Sequence, residues 1–143
     1  SFCLTSMKVI GFNFDKISVE RHKERPENLK ITTNIDVSDI KETKSDMIKT
    51  KEELIQAKFS YGVKYEPGFA TIGLSGNILF ALPEDKAKEV LKEWKKKAMP
   101  EDFKLAIFNV VLRKSALKAL QLEEEMNLPL HIPLPRFKAP KEK

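Results

Sequence analysis

Hydrophobic residues alternate with polar ones through the first half of the chain, and their period lengthens to that of a helix in the second half. Ile10, Phe12 and Phe14 share one parity, whereas Ile17 and Val19 continue on the other. That switch at Asp15–Lys16 predicts a bulge within one long strand, because one extra residue moves every later side chain to the opposite face. After a charged connection, ERHKERPEN, the pattern is cleaner: Leu29, Ile31, Thr33, Ile35 and Val37 lie on one parity, with polar residues on the other. A strand with one wet face follows. KETKSDMIKTKEE, from Lys41 to Glu53, reads as a long charged excursion. Ile55, Ala57, Phe59, Tyr61, Val63 and Tyr65 then mark a third strand, and Ile72, Leu74, Ile78, Phe80 and Leu82 a fourth. Pro67–Gly68 between them predicts an antiparallel hairpin, and Gly73 and Gly76 mark bulges or a close backbone approach.

Pro83 suits a helix N-terminus, with Glu84 and Asp85 placed to complement the macrodipole. Ala87, Val90, Leu91, Trp94 and Ala98 form a helical stripe, and Lys95–Lys97 occupy its last turn. Pro100 separates this helix from a second one reaching about Met126. Its apolar residues exceed one stripe: Phe103, Ile107, Val110, Val111, Leu117 and Leu120 form a face, and Leu105, Phe108 and Leu112 spread beyond it. Such a helix is buried on more than one side. A four-stranded sheet covers one side, so the pattern predicts a homo-oligomer, with Phe103, Ile107, Phe108, Val111 and Leu112 at the interface. The expected class is therefore α+β: four antiparallel strands followed by two helices packed on one face.

The stretch LPLHIPLPRF, Leu128 to Phe137, follows the long helix. Its prolines exclude both a helix and an interior strand, yet its apolar residues are unsuited to a solvated loop. An extended segment lying along an apolar surface reconciles the two.

Composition adds bounds. At 143 residues and 41% hydrophobic content, the chain has the size and make-up of one folded domain. No linker or repeat divides it. Residues 7–137 read as the domain, 1–6 as an irregular N-terminus or cloning remnant, and 138–143 as a basic tail. The single cysteine, Cys3, allows no disulfide within the chain and no thiolate metal cluster, so a cytoplasmic location is expected. No apolar run reaches membrane-spanning length, so no membrane insertion is expected. The net charge of +5, 26 basic against 21 acidic side chains, fits a solvated surface better than a nucleic-acid site. Phe59, Tyr61 and Tyr65 share a face with Ile55, Ala57 and Val63 instead of with basic residues, which argues further against nucleic acid.

Catalytic patterns are missing. His22 and His131 have no Cys or Asp partners at metal-ligand spacing, and Glu123, Glu124 and Glu125 read as a solvated acidic run at a helix end. No phosphate loop opens a helix near Gly73–Gly76, and Ser60, Ser75 and Ser115 lack a nucleophile elbow. The chain reads as a binding protein and not an enzyme, with no metal and no cofactor.

The order of elements and several strings resemble the SecB family of export chaperones. FDKISVE is similar to that family's first strand, NLKITTNIDV to its second, and FSYGVKYEPGFATIGLSGNILFAL to its third and fourth. Two helices joined at a proline follow, and LPLHIPLPRF resembles the proline-containing apolar segment beyond the family's long helix. The resemblance implies a homo-oligomer, a dimer through sheet edges or a tetramer through the long helices, and ATP-independent binding of unfolded polypeptide clients, in protein export or as a general holdase. It also implies a client groove at Phe12, Phe14, Phe59, Tyr61, Leu130, Ile132, Leu134 and Phe137. Two features depart from the family: its members are typically acidic, and the stretch after Phe137 does not match the final helix that flanks their groove. Competing readings are a structural or scaffolding oligomer without a client and, on charge alone, a nucleic-acid-binding module.

Overall fold

The computed structural model describes residues 7–22, 24, 26–43, 52–135 and 137, so the first six residues, most of the predicted excursion and the basic tail lie outside it. Four strands, β1 (Lys8–Arg21), β2 (Lys30–Thr43), β3 (Glu53–Glu66) and β4 (Ala70–Leu82), pair antiparallel in the order β1-β4-β3-β2. The chain reverses between β3 and β4 at Pro67–Phe69, where Gly68 takes a positive φ of 57° that suits a residue without a Cβ. The strand pattern is clearest in this central pair because each strand has paired neighbours on both sides. All the alternate residues predicted from Ile55 to Tyr65 and from Ile72 to Leu82 are buried. The charged segment is shorter than expected: Lys41–Thr43 complete β2 and Glu53 opens β3.

The edge strands carry bulges that keep apolar residues on one face. Phe12 pairs with Ile78 and Phe14 with Gly76, then an irregularity between Phe14 and Lys16 brings Ile17 opposite Leu74 and Val19 opposite Ile72. The predicted bulge is thus where the parity changes. A second irregularity between Val9 and Gly11 puts Val9, not Ile10, opposite Phe80. Ile10 therefore departs from the parity expected of it, because the extra residue takes it out of register. In β2, a bulge between Val37 and Asp39 places both Val37 and Ile40 in the core.

Two helices cover the face so formed: α1 (Glu84–Trp94) and α2 (Glu101–Glu125). Each starts after a proline whose carbonyl accepts an early helical N–H, Ala87 N–H to Pro83 O and Lys104 N–H to Pro100 O. Proline's missing N–H would be unpaired there in any case. Asp102 at the start of α2 pairs with Lys86 of α1 at 2.7 Å, tying the two helices together.

The helices end by the same device. Lys97 and Asn127 adopt φ of 59° and 53°. Ala98 N–H donates to Glu93 O, and Leu128 N–H donates to Glu123 O, bonds that close the last turns in Schellman fashion. Lys95–Lys97 consequently form the turn after α1 and not its last helical turn. The second cap turns the chain back toward the sheet at Leu128.

The buried row of α2 repeats every four residues: Phe103, Ile107, Val111, Ser115, Ala119 and Glu123, with Ala116 and Leu122 beside it. Leu117 is exposed, contrary to the face predicted from its spacing, because an i, i+4 row winds slowly around a helix this long.

Candidate functional site

The helix-facing side of the sheet is built in cross-strand rows. Phe14, Gly76, Phe59 and Val37 form one, and Ile17, Leu74, Tyr61 and Ile35 form the next. Gly76 stands between two aromatic neighbours in the first row. The rings of Phe14 and Phe59 approach to 6.1 Å, and Phe12 lies 5.1 Å from each of them. A Cβ at Gly76 would collide with the backbone of Asn13 and Phe14, which the adjacent bulge presses against it. The close approach predicted for this glycine is real. Beyond the rings, along edge strand β1, Val9 and Ile17 remain 45% and 44% exposed. Apolar surface thus extends continuously from the core to the β1 edge.

On the other half of the same face the sheet is covered by the segment after α2. Leu128 is buried and Ile132 packs half-buried against the core. Between them lies a polar cluster. The His131 Nδ1 stands 2.8 and 2.9 Å from the two oxygens of Glu123, and the His131 backbone N–H donates to Glu123 Oε1 at 3.1 Å. His131 Nε2 lies 2.8 Å from the Tyr61 hydroxyl. The Tyr65 hydroxyl lies 2.7 Å from Glu123 Oε2 and 2.6 Å from the Pro129 carbonyl, so its single proton is shared between two acceptors. The side chains of His131 and Glu123 are 1% and 0% exposed. A carboxylate withdrawn from water needs this many donors, since an unpaired buried charge is costly. Burial raises the Tyr65 hydroxyl well above its ordinary value, with the hydrogen bond to Glu123 and its charge adding to the effect. Tyr61 is raised by burial and then by the Glu123 charge, against a hydrogen bond to Thr33 that lowers it.

The predicted groove residues therefore divide. Phe12, Phe14 and Phe59 form one ring cluster, although Phe59 is buried beneath it. Tyr61 is also buried, capped by the His131 ring at 6.0 Å. Both supply the base of the surface and no accessible contact. Leu130 and Ile132 are half-buried, whereas Leu134 is 54% exposed and Phe137 fully so. The predicted interface also divides. Phe103, Ile107 and Val111 are wholly buried against the chain's own sheet and have nothing to offer a second subunit. Phe108 is half-buried and Leu112 exposed; with exposed Leu105 they line one outward stripe of α2.

Glu123 overturns the reading of the acidic run as solvated: Glu124 and Glu125 are exposed, but Glu123 is fully buried. Its signal was its place in the four-residue row with Val111, Ser115 and Ala119. Sequence reasoning also missed a groove of about 570 Å³ beside the β2 edge, lined by Asp36, Val37, Trp94, Met99 and Phe108. There Lys97 lies over the Trp94 ring at 4.8 Å and Lys104 over the Phe108 ring at 5.8 Å. The i, i+3 and i, i+4 spacings of these pairs were the available clue. Among the described residues, no group of His, Cys, Asp or Glu could hold a metal ion. Nor is any described helix long and apolar enough to cross a membrane.

No protein-family model matches the chain, and no curated protein matches it. Among solved structures, the chain is similar to the SecB-like chaperone Rv1957 of Mycobacterium tuberculosis, in complex with a ChAD peptide from the Rv1956 HigA1 antitoxin. The TM-score is 0.51 at 9% sequence identity, covering 96% of this chain and 94% of that one. The likeness extends over nearly the full length of both and identifies a shared α+β fold.

Proposed function

We propose that this chain binds non-native polypeptide without ATP, as a SecB-like holdase. The observation that carries the reading is the apolar β1 margin, Val9, Phe12, Phe14 and Ile17, on a fold shared with a chaperone that holds a peptide. Apolar side chains of a client would cover this margin, and Leu134 and Phe137 would extend the contact. Burying one large apolar side chain contributes about 1.5–3 kcal/mol. A few such contacts are enough for roughly micromolar binding. The stripe of Leu105, Phe108 and Leu112 supports assembly of identical chains through α2, a proposal that the molar mass in solution tests directly. The chain would act in the cytoplasm, with protein export as one setting for a holdase.

Light scattering tests the reading. At equimolar concentration and without nucleotide, the protein is expected to suppress aggregation of a chemically reduced client. Undiminished aggregation, together with no binding to unfolded polypeptide, would contradict it. Salt-sensitive retention of RNA instead would favour the nucleic-acid alternative.

A further inference from the structure

We propose that the segment from Leu128 to Ile132 is a built-in pseudo-client, occupying a site where Glu123 and Tyr65 are set to hold the main chain of a non-native polypeptide. The proposal rests on the polypeptide-binding reading and says how that surface is guarded.

The pattern of hydrogen bonds carries it. Glu123 accepts the backbone N–H of His131, and Tyr65 donates to the backbone carbonyl of Pro129. Two fixed, buried side chains thus recognise a carbonyl and an N–H two residues apart, just where the main chain bends at His131 and Ile132. Neither bond depends on the side chains of the segment being held, so any polypeptide that follows this path without proline at the N–H position presents the same pair. Main-chain hydrogen bonds supply affinity in this mode, while flanking apolar pockets supply selectivity. Here the flanks are filled by Leu128, which is buried, and Ile132, which packs on the core.

The segment has the properties of a client fixed in advance. Pro129 and Pro133 restrict the backbone at and before their own positions and reduce the entropy the segment loses on docking. The segment is rooted in the α2 cap and its cover ends at Ile132, since Leu134 and Phe137 are exposed. One contact is particular to it. The His131 ring spans Glu123 and Tyr61 and gives the resident segment an advantage that a client without histidine lacks. A client therefore competes with an intramolecular occupant, and its apparent affinity is reduced by the fraction of chains in which the segment is docked.

The test uses the full chain and a fluorescently labelled, reduced and carboxymethylated polypeptide as the probe. His131→Ala removes the ring contacts with Glu123 and Tyr61 that only the resident segment makes, and keeps Glu123 and Tyr65 in place to hold a client. It is expected to tighten probe binding about tenfold, the scale of one hydrogen bond to a charged group, even as it lowers the melting temperature. Hydrogen exchange on the unaltered protein gives a second reading. Saturating probe should speed exchange of the His131 amide about tenfold or more, because that N–H leaves Glu123. Slower or unchanged exchange at His131 with probe bound would overturn the pseudo-client while leaving polypeptide binding intact. Probe binding that is unchanged or weaker in His131→Ala would do the same. If neither form binds the probe, both the pseudo-client and the function it rests on fall; binding by His131→Ala alone supports both.

Discussion

The two halves of the helix-facing side of the sheet have much the same apolar composition and opposite fates. Over β3, next to Ile31 and Ile35, the segment after α2 seals the surface and pins itself through Glu123, His131, Tyr61 and Tyr65. Along β1, the same face runs out to Val9 and Ile17, which remain half in solvent. Apolar content does not separate them. What separates them is a buried polar network that only one partner can satisfy fully. Such a network specifies register: a purely apolar segment would slide, whereas displacing His131 leaves a buried carboxylate with Tyr65 as its remaining donor in the network.

The largest effect should come from breaking the sealed half. His131→Leu leaves Glu123 buried without the ring Nδ1 that faces both of its oxygens and is expected to destabilise the fold by about 3–5 kcal/mol. Urea unfolding would measure it, and a loss under about 1 kcal/mol would mean that the network contributes little to holding the segment. Gly76→Ala attacks the open half. Its new methyl meets the Asn13 carbonyl, and the expected loss is about 1–3 kcal/mol. A variant as stable as the parent would show that the β1 bulge relaxes freely.

An alkaline titration distinguishes the halves without mutation, because both tyrosines of the chain belong to the sealed one. Their hydroxyls are raised above the ordinary value of 10.0 by burial and by Glu123. The folded chain therefore holds these protons more tightly than the unfolded chain does. Their contribution to stability is complete below about pH 10 and is lost progressively as pH rises from there toward the folded-state values. Tyrosinate absorbance should consequently appear together with unfolding and not before it. Absorbance growing in at about pH 10 from a chain that is still folded would mean that the segment does not seal the tyrosines.

The smallest effect on stability belongs to the open half. Ile17→Ser at a half-exposed edge position should change stability by about 0.5 kcal/mol or less. It should still weaken client binding severalfold, because the lost side chain faces the client and not the core. Equal affinity in calorimetry would move the client surface elsewhere on the molecule, with the Trp94–Phe108 groove the next place to look.

Much of this architecture is written in local patterns. The alternation in β3 and β4 is legible because each strand is buried on one full face, and the parity switch in β1 marks its bulge one residue at a time. The apolar proline-rich segment also announces that it lies on something. Its partner is not legible. Glu123 sits among acidic residues that look solvated, and only the winding of α2 over more than twenty residues carries it into the core. The division of α2 into an inward row and an outward stripe fails for a related reason: Phe103, Ile107 and Val111 are as apolar as an interface residue, and only the sheet beneath them shows which way they face. The Tyr65–Glu123 and Tyr61–His131 pairs join residues that are distant in sequence, and no local spacing relates them.

The central claim, that the apolar margin binds unfolded polypeptide through burial, is tested most directly by equilibrium titration of a labelled, permanently unfolded protein without ATP. The titration is run at about 0.1 M and about 1 M salt, over which the Debye length falls from about 10 Å to about 3 Å. The account predicts saturable binding that persists at the higher salt and weakens about tenfold in Phe14→Ser, the scale of one lost apolar anchor. Absence of binding, or binding that salt removes and Phe14→Ser leaves untouched, would contradict it.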